Sequence, residues 1–238
     1  MATEHTAKAF DADLQDLARL VAEMGGMAEK QIGDSVDALN THDITLAART
    51  IALDDKIDHL QREIEEKAIL TIARRQPMAV DLREIVGALR VANDLERIGD
   101  LAKNIAKRVS ALDDDVQLTK VLRGVEHMSE LVLLQIKDVL DSYARRDVDK
   151  ALAVWRGDEE IDAVNNSLFR ELLTYMMEDP RNISLCIHLL FCAKNIERMG
   201  DHATNIAETV YYIVEGRPLA DERPKGDNTA SATVAFPA

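Results

Sequence analysis

Apolar residues recur every three to four positions along most of the chain and give way only at short polar or proline-bearing stretches, the pattern of amphipathic helices. This spacing predicts a first helix from about Ala7 to Leu39, closed by Asn40, Thr41 and His42, and a second from about Ile44 to Ala73. Pro77 breaks the pattern before a third helix that runs to about Leu112. After the acidic run Asp113, Asp114 and Asp115, three more helices are predicted at about 117–144, 148–177 and 182–215, with Asn182 as an N-cap behind Pro180. Gly216 and Pro218 stop the last one, and residues 217–238, aperiodic and rich in Pro, Asp, Ala, Ser and Thr, are expected to be a disordered C-terminal tail.

The chain repeats itself. Residues 94–106 read DLERIGDLAKNIA and residues 195–207 read NIERMGDHATNIA, identical at eight of thirteen positions. Asp54, Ile57 and Asp58 recur as Asp158, Ile161 and Asp162, and Pro77 recurs as Pro180. A nearly constant offset over this span marks a duplicated unit. The expected fold is all-α, two tandem three-helix bundles related by pseudo-twofold symmetry, with boundaries at 1–112 and 113–216.

Composition narrows the function. The 238 residues carry 29 Lys plus Arg against 43 Asp plus Glu, a formal charge of −14, and only 4% aromatic residues. An anionic nucleic acid or membrane surface repels such a chain, and few rings are present for base stacking. Cys186 and Cys192 are read as core residues in a reducing compartment, since six positions on a helix point them apart. With no apolar leader at residues 1–10 and no membrane-length apolar run, a cytoplasmic protein is expected.

Four carboxylate pairs stand out at i, i+4 spacing: Asp54 with Asp58, Glu96 with Asp100, Asp158 with Asp162, and Glu197 with Asp201. Such neighbours share a helix face and repel. Asp58 and Glu96 are equidistant from Pro77, as are Asp54 and Asp100, so in an antiparallel hairpin the pairs lie level; the second set is level about the Asp179–Pro180 turn in the same way. At 100° per residue, Asp54 and Asp58 lie about 60° and 100° from the stripe through Leu53, Ile57 and Ile64, and Glu96 and Asp100 lie about 40° and 80° from that through Ala92 and Gly99. Both offsets share a sign, so the acids are expected to converge on a groove flanking the core, for one handedness of the bundle.

Four gathered carboxylates require cations or raised pKa values, because a pair at about 5 Å costs roughly 1 kcal/mol in water and about 3 kcal/mol at an effective dielectric near 20. One reading is an acid–arginine network through Arg62, Arg97 and Arg198. The other, favoured by the duplication, is a metal groove in each bundle, where oxygen ligands suit Mg, Ca, Mn or ferric iron. Asn104 and Asn205 continue the acidic row and, with Arg97 and Arg198, are candidate supporting residues around such sites. Gly99 and Gly200, costly inside helices, suggest close helix approach.

The motif E-R-(I/M)-G-D-x-A-x-N-I-A at 96–106 and 197–207, with D-x-x-I-D at 54–58 and 158–162 and the turn R-R-Q-P at 74–77 followed by Asp81-Leu82-Arg83, resembles the PhoU family of bacterial phosphate uptake. The resemblance spans about residues 7–216. It implies paired three-helix bundles that self-associate as homodimers, with iron or zinc at Asp54, Asp58, Glu96, Asp100, Asp158, Asp162, Glu197 and Asp201. It also implies a non-enzymatic negative regulator of phosphate transport and starvation transcription, with the phosphate ABC transporter ATPase and a sensor histidine kinase as partners. A carboxylate-bridged di-metal enzyme of the ferritin-like kind is the alternative, although no His follows a Glu at i+3 as those sites require. A metal-free scaffold is the third.

Overall fold

The computed structural model describes residues 2–112 and 119–220; the run 113–115 and the segment from 221 onward lie outside the described residues. The described residues are helical apart from short turns and form two tandem three-helix bundles. The first holds α1 (Ala2–Thr41), α2 (Ile44–Arg75) and α3 (Val80–Val109); the second holds α4 (Thr119–Arg145), α5 (Val148–Glu178) and α6 (Ile183–Glu215).

The turns are built twice from the same parts. His42 (φ 53°) and Arg146 (φ 54°) leave α1 and α4 in the left-handed conformation, and Asp43 and Asp147 then cap α2 and α5. Asp43 accepts from the amides of Thr45 and Leu46 at 2.8 and 2.9 Å, and Asp147 from that of Lys150 at 3.0 Å. These bonds satisfy donors that a helix start leaves open. The hairpin turns differ from each other. Gln76 closes α2 in the left-handed region before Pro77. At the second turn Asn182 stands at the N-cap position of α6 as expected, but its backbone is helical and its side chain makes no cap bond. Asp179 caps the short 3-10 turn at Pro180–Asn182 that precedes α6, accepting from the Arg181 amide at 3.0 Å. The extra turn arises because Pro180 fits the first position of a tight helical turn.

A continuous apolar core runs through both bundles, with Met24, Ile32, Ile57, Ile98 and Ile105 in the first half and Val132, Ile136, Leu189, Ile196 and Ile206 in the second. Both cysteines are buried within it and unpaired. The halves meet where α3 packs antiparallel on α6. A Cβ on Gly87 would come within 2.4 Å of Ile213 Cδ1, and at the other end Arg108 lies over the Phe191 ring at 4.3 Å. Among the described residues no helix is long and apolar enough to cross a membrane.

Candidate functional site: two acid-lined clefts

In each hairpin the acidic positions come from the facing helices, α2 with α3 and α5 with α6. Asp54 is 2% exposed, Asp158 3%, Asp162 4% and Glu197 5%, whereas Asp58, Glu96, Asp100 and Asp201 are half-buried. This corrects the placement beside the core for Asp54, Asp158, Asp162 and Glu197, which enter it, while the other four lie at its edge. Asp54 belongs to the buried row of α2 that also holds Thr50, Ile57 and Ile64, while Leu53, assigned to that row from its apolarity, is only half-buried. Asp55 and Lys56 face solvent.

A buried carboxylate needs donors, and the sequence reading missed the two that serve Asp54. Lys103, one turn beyond Asp100 on α3, reaches across the hairpin to Asp54 Oδ2 and stands 3.4 Å from Asp100 Oδ1. Gln31 of α1 is completely buried and donates to Asp54 Oδ1 at 3.4 Å and to the Thr50 carbonyl at 3.3 Å. Gly99 makes room for it, since a Cβ there would come within 2.9 Å of Gln31 Oε1. Both residues carried a signal. Lys103 lies i+3 from Asp100 inside the repeated motif, and Gln31 recurs as Gln135 at the same offset that relates Asp54 to Asp158.

Electrostatics reflect the convergence of the first set. The Glu96 carboxyl is pushed above the usual range, first by burial and then by Asp100, Asp58 and Asp54, against the opposing pull of Arg97. Asp58 is raised by burial and by Asp54, and Lys103 relieves it in part. The Lys103 ammonium is itself held charged, chiefly by its bond to Asp54.

The arginines contribute less. Arg97 stands 3.5 Å from Glu96 and 3.9 Å from Asp100 with more than half of its side chain exposed. Arg62 donates to the Asp58 carbonyl at 3.1 Å. Arg198 is exposed, and so is Asn104. Asn205 donates away from its own cleft, to Asp94 of α3 at 3.3 Å.

In the second cleft Gly200 leaves open the space beside Asp158, where a Cβ would lie 3.2 Å from Asp158 Oδ1 and 3.4 Å from Gln135 Oε1. Both amide atoms of Gln135 are buried without a hydrogen bond. Lys194 pairs with Glu197 at 2.8 Å. The position that corresponds to Lys103 is Thr204, fully buried, whose hydroxyl donates to the Asp201 carbonyl at 2.7 Å.

The two clefts therefore fit a hard cation unequally. In the first, an ammonium already sits between Asp54 and Asp100. In the second, the donor set is carboxylate-rich and a glycine keeps its floor open. Among the described residues no three acid, histidine or cysteine side chains are gathered into a metal cage, so an ion would have to draw its ligands together. Two concavities lie away from the clefts, a groove of about 560 Å³ lined from α1, α3, α4 and α6 and one of about 490 Å³ between α3 and α6.

Comparison with known proteins places this geometry. The family model described as the PhoU domain matches twice, at residues 21–109 and 125–210. A relative from Rhizobium meliloti strain 1021, described as a phosphate-specific transport system accessory protein PhoU homolog, is 58% identical over 231 residues, covering 97% of this chain and 98% of the relative. A relative of the same description from Caulobacter vibrioides is 50% identical over 225 residues, with 94% and 98% coverage. The crystal structure of PhoU from Pseudomonas aeruginosa superposes with a TM-score of 0.84 at 41% identity, covering 87% of this chain and all of that one. The phosphate transport system regulatory protein PhoU from Streptococcus pneumoniae gives 0.82 at 27% identity, covering 88% of this chain and 99% of its own.

Proposed function

This chain belongs to the PhoU family, and from that premise we propose that it is a cytoplasmic, non-enzymatic accessory protein that restrains phosphate uptake and phosphate-starvation signalling. It acts as an adaptor between the ATPase of the phosphate ABC transporter and a sensor histidine kinase, and it works as a homodimer. The observation that carries this reading is the near end-to-end match at 58% identity to a phosphate-specific transport system accessory protein homolog. Physical character supports it: with a net charge of −14 the chain offers an acidic helical surface that complements basic patches on a partner and steers encounter over a Debye length of about 8 Å.

A divalent or ferric ion, iron or zinc by family resemblance, belongs to the same reading at the second cleft. Asp158, Asp162, Glu197 and Asp201 would hold it, and its positive charge would offset their mutual repulsion and brace α5 against α6. The experiment that tests the adaptor role removes the chain from its own cell and measures a phosphate-starvation reporter in phosphate-rich medium. Derepression, together with retention of the transporter ATPase by the purified protein at low salt, is expected. A reporter that stays silent, with no retention in any phosphate or metal condition, overturns it.

A further inference from the structure

The two repeats preserve all eight acids and differ in what lies among them. In the first cleft Lys103 projects from α3 across to α2, ion-paired with Asp54 and 3.4 Å from Asp100, with only about a quarter of its side chain exposed. Asp54 itself is 2% exposed. A carboxylate this deeply buried retains its charge only with a partner, and removing one member of such a pair leaves the other buried and uncompensated. Gln31 supplies a neutral donor to the other oxygen, so both oxygens of Asp54 are engaged. In the second cleft the corresponding residue is Thr204, which bonds to its own helix backbone.

We propose that Lys103 is the resident cation of the first cleft, and that it bars divalent and ferric ions from the site formed by Asp54, Asp58, Glu96 and Asp100. An ammonium and a metal ion compete for the same carboxylate oxygens, and the ammonium is tethered to α3, so it re-enters at high local concentration whenever it leaves. The duplication has thereby produced two unlike sites from one acidic pattern, the first with a half-buried ammonium between its acids and the second with Thr204 at the corresponding position. The metal reading of the second cleft belongs to the proposed function; the exclusion from the first stands on Lys103 alone.

The test is metal stoichiometry of the full-length, tag-free chain by native mass spectrometry and elemental analysis after equilibration with Zn²⁺, Mn²⁺ or Fe²⁺. In an Asp158→Asn, Asp162→Asn background, which leaves only the first cleft intact, no retained ion is expected. Adding Lys103→Met, which keeps the aliphatic stem, is expected to create stoichiometric retention, and Lys103→Arg is expected to leave retention absent. Retention with Lys103 in place overturns the proposal. So does a Lys103→Met chain that is helical by circular dichroism yet retains no metal. If Lys103→Met folds only when metal is present, a metal-dependent rise in its melting temperature that Lys103→Arg lacks supports it. A wild-type chain that binds no metal refutes the second-cleft reading and leaves these outcomes intact.

Discussion

His202 Nδ1 of α6 lies 2.8 Å from Asp94 Oδ1 of α3, and Asn205 donates to the same oxygen at 3.3 Å. The repeat counterparts of Asp94 and His202 are Asn195 and Leu101, so this contact joins the two halves without a symmetric twin. Apolar packing between α3 and α6 is non-directional; this polar contact fixes their register. Asn205, which continues the acidic row of its own repeat, is thereby committed to holding the halves together.

Asp94→Ala removes the acceptor while leaving two part-buried donors behind. Stranding such groups costs about 1–3 kcal/mol. The urea midpoint of Asp94→Ala is expected to fall accordingly, and Asp94→Asn, which keeps an acceptor oxygen, is expected to fall less. Equal midpoints for wild type and Asp94→Ala would remove the contact from the forces that hold α3 to α6.

Gly99 is retained for space. Alanine there gains helix propensity of about 1 kcal/mol, but its Cβ would meet Gln31 Oε1 at 2.9 Å and Ile57 Cδ1 at 3.1 Å. Displacing Gln31 removes its bond to Asp54, so Gly99→Ala is expected to be destabilising in the wild type. In a Gln31→Ala background the clash with the amide is gone, and the same substitution is expected to cost less by about 0.5 kcal/mol or more. A double-mutant cycle by chemical denaturation measures the difference, and additive effects would refute the coupling.

The helices and the duplication were legible because periodicity and proline are local signals, and the acids were legible because they recur. What escaped detection was tertiary. Leu53 defined the stripe of α2 by its apolarity, yet Asp54 occupies the buried row because Gln31, Gly99 and Lys103, from two other helices, create a place for a carboxylate there. Nothing within α2 itself announces that. Asn182 precedes α6 without a side-chain cap bond for a similar reason: Pro180 sets a 3-10 turn that runs through Asn182, and the capping carboxylate is that of Asp179 at the start of that turn.

Glu29 gives stability a pH dependence that can be isolated. Burial raises its pKa, with Lys137 opposing and Asp141 adding to the shift. A carboxyl raised in the folded state favours folding fully below its ordinary value of about 4.3, and that contribution is lost as pH rises through the folded value. The half-buried Asp16 and Asp179 act in the opposite sense, held low by Lys67 and Arg181, so their contribution is present above the ordinary range and fades in stronger acid. The melting temperature of the wild type is therefore expected to fall more steeply than that of Glu29→Gln as pH rises from the ordinary carboxyl value through the raised folded one. Parallel curves would exclude Glu29 as a source of the slope.

The duplicated caps test whether the halves respond as separate units. Asp43 and Asp147 each bind amides at the start of their helices, and removing such a cap costs about 0.5–2 kcal/mol. The two turns lie at opposite ends of the α3–α6 pair. His42, beside Asp43, contacts the Leu112 carbonyl at 2.9 Å beyond the C-terminus of α3, whereas Arg146, beside Asp147, pairs with Glu84 at 2.5 Å near its N-terminus. Sites so separated share no partner, and their effects are expected to add within about 0.5 kcal/mol. Asp43→Ala and Asp147→Ala should each lower the urea midpoint, and the double variant should lower it by the sum in one cooperative transition, because the core and the α3–α6 face bind the bundles into a single folding unit. Two resolved transitions in the Asp147→Ala variant would show that the second bundle unfolds on its own, and the Asp94–His202 contact would then be too weak to couple them.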